Sequence, residues 1–161
     1  MTSVHSENHS SNALKTIFIA GLVAGTLDLL AAFTSAWLRT GTSPVRVSQF
    51  IASGVLGPAA FTGGAASAAL GVVCHFVIAT GAAAAFYFAS RKLRFLVEWP
   101  IPMGLLYGVL VYLFTTLVVV PLSRVTPARV APPLSARIIA ALIIMFFVGL
   151  PIALIVRRFS K

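Results

Sequence analysis

Residues 138–156 read IIAALIIMFFVGLPIALIV, nineteen positions without a charged, amide or hydroxyl side chain. As a helix rising 1.5 Å per residue, this run is about 28 Å long, which matches the roughly 30 Å hydrocarbon core of a bilayer. A helix on the surface of a soluble domain keeps a polar face, and this run has none. Arg137 precedes it, and Arg157, Arg158 and Lys161 close it. It reads as a transmembrane helix whose last turns Pro151 should kink.

Three further runs toward the N-terminus are long enough to span. Residues 101–120 are entered through Pro100 and Pro102 and left at Pro121. Residues 66–90 and 14–38 complete the set. The expected fold is all-α: an integral membrane bundle of four transmembrane helices, with a short amphipathic interfacial helix between the first and second. The first run is long for a signal-peptide core and carries Asp28, so a retained helix is expected. Residues 1–13 should be a disordered polar tail, 14–156 one transmembrane domain and 157–161 a basic cytoplasmic tail.

Composition agrees. The chain is 59% apolar and 9% charged, whereas a soluble domain carries about a quarter charged residues. Its acidic residues are Glu7, Asp28 and Glu98. The twelve basic residues sit almost entirely between apolar runs. The net charge of +9 therefore marks membrane flanks and a lipid bilayer as partner, not a nucleic-acid surface, for which there is no soluble domain. Lys15, Arg91, Lys92, Arg94, Arg157, Arg158 and Lys161 fall on the side of the termini, and Arg39, Arg46, Arg124, Arg129 and Arg137 on the other. The excess predicts both termini in the cytoplasm.

Residues 41–64, GTSPVRVSQFIASGVLGPAAFTGG, are more than a loop. Pro44 can start a helix over about 44–57. Arg46, Gln49 and Ser53 share one face of it, and Val47, Phe50 and Ile51 another. This helix should lie at the interface or dip into the bundle mouth, with the surface placement favoured.

Small residues mark helix interfaces in membranes, where close van der Waals contact drives association. Gly21, Gly25, Asp28, Ala32 and Ser35 form one stripe on the first span. Ala68, Gly71, His75, Ala79 and Ala82 form one on the second, and Gly104, Gly108 and Thr115 lie on one side of the third. GLVAG (21–25) and GLLYG (104–108) are G-x-x-x-G matches, and self-association through one of them is expected. The depths of three polar groups also agree. Asp28, His75 and Tyr112 lie about 15, 13 and 12 Å from the outer ends of their spans. They form the candidate intramembrane polar site. A bare carboxylate there costs about 3 kcal/mol on insertion scales. A protonated carboxyl, or pairing with a protonated His75, would relieve that cost. Two readings stay open: a proton relay or ligand site, or a polar pin that fixes helix register.

Other chemistry finds little support. His5 and His9 are at i, i+4 spacing, but nothing nearby completes a metal site. His75 lacks a second intramembrane His for haem. Cys74 has no disulfide partner and reads as a packing residue. With no H-E-x-x-H, phosphate loop or nucleophile constellation, neither an enzyme nor a metal or cofactor is expected.

AGTLD at 24–28, SPVRVSQFIASGVLGPAAFTGG at 43–64, Cys74-His75-Phe76 and VVVPLS at 118–123 together resemble a group of small bacterial inner-membrane proteins of unassigned activity. The layout is similar to the YagU type. The resemblance implies a bacterial cytoplasmic membrane and no substrate. The expected function is proton-linked or small-solute transport through a polar interior. The alternative is a non-transporting scaffold or partner subunit that packs through its Gly and Ala faces.

Overall fold

The computed structural model describes residues 3–125 and 132–159. Arg129, Lys161 and the His5 and His9 side chains lie outside the described residues. The described elements are all helical: α1 (Ser3–Thr40), α2 (Pro44–Leu56), a 3-10 turn (Gly57–Phe61), α3 (Gly64–Lys92), α4 (Phe95–Glu98), α5 (Pro100–Leu122) and α6 (Leu134–Phe159). Four segments are long and apolar enough to cross a membrane: Asn12–Thr40, Gly64–Lys92, Pro100–Leu122 and Leu134–Phe159. The protein is an all-α, multi-pass membrane bundle.

The element ends follow from local chemistry. α1 stops where Gly41 turns to φ 66° and donates to the Trp37 carbonyl at 2.9 Å, a left-handed cap that glycine adopts without steric cost. Pro44 occupies the first turn of α2, and Ser43 Oγ accepts the Arg46 N–H at 3.3 Å, as an N-cap does. α2 ends at Gly57, φ 62°, followed by Pro58. At the N-terminus α1 begins at Ser3, nine residues before the apolar span that starts at Asn12. Extending a helix already nucleated by its apolar span costs little per residue.

Pro121 and Pro151 are absorbed in one way. A π-turn runs over Thr115–Val119 and another over Met145–Gly149, each ending two residues before its proline. Val120 N–H donates to Thr115 O, and Leu150 N–H to Met145 O. Proline offers no N–H and crowds the preceding turn, and one widened turn accommodates both effects. So Pro121 sits within α5 instead of ending it, and the expected irregularity near Pro151 takes the form of a π-turn.

The spans neighbour one another in the order α3, α1, α6, α5, and α2 lies along α3. The α1–α3, α5–α6 and α2–α3 contacts run over glycine. A Cβ on Gly21 would stand 2.7 Å from Thr80 Cα, and one on Gly25 would stand 2.9 Å from Phe76 Cδ1. Gly104 and Gly108 face Gly149 and Met145 on α6, and Gly71 faces the Ser48 carbonyl on α2. Both G-x-x-x-G faces thus make contacts within the chain.

α2 packs against α3 through Ser48, Gln49, Ala52 and Ser53, all buried, while Val45, Phe50 and Val55 are exposed. Gln49 Nε2 donates to Gly64 O at 3.1 Å. Arg46 donates to Phe61 O at 3.3 Å and lies 4.3 Å over the Phe61 ring. Arg124 N–H donates to Gly54 O at 2.9 Å and ties the far end of α2 to the end of α5. The helix therefore packs on the bundle along α3 and does not lie apart from it at the interface.

The core sits at the end of the bundle that carries the termini. Ile17, Ala20 and Ala24 of α1 meet Ala83 and Phe86 of α3 and Val148, Ile152, Ala153 and Val156 of α6. Substituting Gly108 by Val should destabilise the bundle by about 1–3 kcal/mol through overpacking, because a Cβ there lies 2.9 Å from the Ile144 carbonyl. Gly81 has open space around it, so Gly81→Ala should be neutral or stabilising by up to about 1 kcal/mol. Steric-trapping measurements in bicelles would read both changes.

Candidate functional site

α1 and α3 approach closely because Gly21 and Gly25 carry no side chains, and that approach places His75 against α1. His75 Nε2 lies 2.9 Å from the Gly25 carbonyl. A carbonyl only accepts, so Nε2 carries the hydrogen and donates. Gly25 thus serves twice, as the contact that lets α3 approach and as the acceptor that orients the imidazole. Asp28 stands one turn further along α1, with its Oδ2 3.9 Å from His75 Nε2. That distance permits charge attraction but exceeds a hydrogen bond. The side chains remain 14% exposed for His75 and 20% for Asp28, so both reach open space.

That space is a cavity of about 570 Å³, within the size range of small-molecule sites. Asp28 and His75 lie at its deep end, where the packed core begins. Its walls are Ala32, Ser35 and Ala36 of α1, Val47, Phe50 and Ile51 of α2, Thr115 of α5, and Ala136, Ala140 and Ile144 of α6. Arg39 and Thr40 line it at the end of the bundle away from the termini.

The structure joins Asp28 and His75 but leaves Tyr112 apart. Tyr112 does not line the cavity, and the α5 residue at its wall is Thr115. The tyrosine turned into the bundle is Tyr107, whose hydroxyl donates to the Ala82 carbonyl of α3 at 2.7 Å and whose ring packs on Phe86 at 5.0 Å. Five residues separate the two, about 140° around an ideal helix. Matching depths fixed the height of Tyr112 but not its rotation, which the Gly104 and Gly108 contacts with α6 set. Arg39 was also missed as a site residue, although a signal existed. The spacing 21, 25, 28, 32, 35 continues by four to 39, so Arg39 extends the same stripe.

The arrangement can hold a proton, or a cationic group, at a partly buried acid. It lacks the parts of a metal centre, since among the described residues no three His, Cys, Asp or Glu side chains gather. The chain matches no protein family, no curated protein and no solved structure. The resemblance noted above therefore gains no relative from these comparisons.

The geometry makes two checkable demands. In a Cys74→Ser background, Ser35→Cys should react with a membrane-impermeant maleimide from the loop side, whereas Ala83→Cys, fully buried, should not. Tyr107→Phe should lower stability by about 0.6–1.7 kcal/mol, the range of interhelical hydrogen bonds in membranes, while Tyr112→Phe leaves it unchanged. Unfolding in bicelles measures the second pair.

Proposed function

We propose that this protein resides in a bacterial cytoplasmic membrane with both termini in the cytoplasm. There it moves a small solute, coupled to protons, through the interior centred on Asp28 and His75. The single observation that carries the reading is an intramembrane acid–histidine pair at the deep end of an open cavity. Burying an ionisable pair solely to fix helix register is weakly motivated here. The glycine contacts already specify how α1 and α3 pack, and both side chains also line the cavity.

The orientation rests on charge. Lys15, Arg91, Lys92, Arg94, Arg157 and Arg158 lie near the termini end, against Arg39, Arg46, Arg124 and Arg137 at the other. Short basic flanks of this kind are retained on the cytoplasmic side. The cavity then opens outward and the packed core faces the cytoplasm. Movement of a solute requires that core to part. The competing reading, a scaffold that binds partners through Gly and Ala faces, is weakened because those faces are occupied inside the chain.

In proteoliposomes loaded with a pH-sensitive dye, the wild type should pass protons when a transported solute is supplied, and Asp28→Asn should fall to the rate of empty vesicles. Tyr112→Phe should run at the wild-type rate. Background flux from the wild type across a broad solute panel would end the transport reading.

A further inference from the structure

Asp28 is the one acidic residue in the described spans, and its carboxylate accepts no hydrogen bond from any described group. Its neighbour His75 directs its Nε2–H to the Gly25 carbonyl. The remaining charged group at the cavity is Arg39, at the rim; α2, α5 and α6 contribute only uncharged side chains. A second cavity of about 580 Å³ lies between α1 and α6, lined by Leu27, Leu30, Leu38, Ile139 and Phe147. It shares Ser35, Arg39 and Ile143 with the first. The two therefore adjoin, and the second is an apolar gap on the outer face of the bundle, where a span meets lipid.

From these observations we infer that the site takes a lipophilic monocation, an ammonium-type head on an apolar body, which reaches Asp28 from the bilayer through the gap between α1 and α6. The inference rests on the transport reading above and adds the ligand class and the route to it. Each part of such a ligand has a complement. The head meets a carboxylate without a competing hydrogen bond, and the body meets Leu, Ile and Phe side chains along the gap. Arg39 does not reverse the sign of the site. It lies eleven residues beyond Asp28, about 16 Å along the helix. Coulomb energy falls inversely with distance, so a cation in contact with Asp28 at about 4 Å feels the acid roughly four times as strongly as it feels Arg39. Arg39 lines both cavities, so charge does not choose between them; the apolar lining of the second favours the lipid side for an apolar body.

One carboxylate cannot hold a proton and a cation together. Binding thus exchanges them: the cation pairs with the Asp28 carboxylate, and the proton that the carboxyl held leaves to water. No other acid in the described spans can share the task.

Tetraphenylphosphonium, a permanent lipophilic cation, is the probe. Its binding to the purified protein in phosphatidylcholine nanodiscs should saturate above the level of empty discs and weaken on acidification. Asp28→Asn should weaken it roughly ten- to hundredfold, as expected for loss of a charged contact. Asp28→Glu should retain it, which separates loss of charge from loss of fold. Ala31→Phe, which narrows the gap, should slow association and leave the affinity nearly unchanged. The inference is overturned if the wild type shows no saturable binding, if Asp28→Asn binds as well as the wild type, or if octanoate saturates the site through Arg39 instead. Cation binding without flux in the proteoliposome assay would keep the ligand class and remove transport. Asp28-dependent proton flux without cation binding would do the reverse.

Discussion

The close approach of α1 and α3 at Gly21 and Gly25 is the contact on which the rest of the molecule depends. In lipid no hydrophobic force draws two apolar helices together, and what holds them is van der Waals contact at short range. Two glycines a turn apart allow that range, with Thr80 and Phe76 filling the space their side chains would take. Only at this separation can an imidazole on α3 reach a backbone carbonyl on α1. The His75–Gly25 hydrogen bond at 2.9 Å follows from the packing, and the position of His75 beside Asp28 follows from the hydrogen bond.

Side-chain volume then divides the bundle. At the termini end, Ile17, Phe86, Ile152 and Val156 fill the space between spans and leave them closely packed. At the other end the inward positions carry Ala32, Ser35, Ala136 and Ala140, which are too small to meet across the same gap. A cavity results. It is walled laterally by α2, whose inward face is unusual for a soluble amphipathic helix. Ser48, Gln49 and Ser53 point into the protein, while Val45 and Val55 are exposed. In a membrane this inversion is favourable, because lipid accepts the apolar side chains and the protein supplies hydrogen bonds for the polar ones. Gln49 finds the Gly64 carbonyl and Ser53 the Phe50 carbonyl.

The two π-turns show one local problem solved twice. Thr115–Val119 precedes Pro121 and Met145–Gly149 precedes Pro151 with the same offset. Both lie on the α5–α6 pair, and Thr115 at the head of the first forms part of the cavity wall. Gly149, the last residue of the second, packs against Gly104 and Gly108. The prolines thus shape the surfaces by which α5 and α6 meet, as well as the helices in which they occur.

Hydropathy and span length alone determined that the chain is helical, that four segments cross a membrane, and where each segment lies, because the bilayer imposes a single length and satisfies no backbone group. Spacing determined the stripes carrying Gly21, Gly25, Asp28, Gly71 and His75, since residues three and four apart share a helix face. The stripes could not say which helix would meet which. They left open whether the glycine faces join spans of one chain or of two, and whether α2 lies on the bundle or beside it. Tertiary structure decided those questions, and with them the choice of Tyr107 over Tyr112 as the inward tyrosine. The reason is rotational: depth along a helix can be counted from its ends, but azimuth is fixed only when a neighbouring backbone comes into contact. The cavity had no signature in any one segment, because it is the volume left over where small residues from several helices fail to touch.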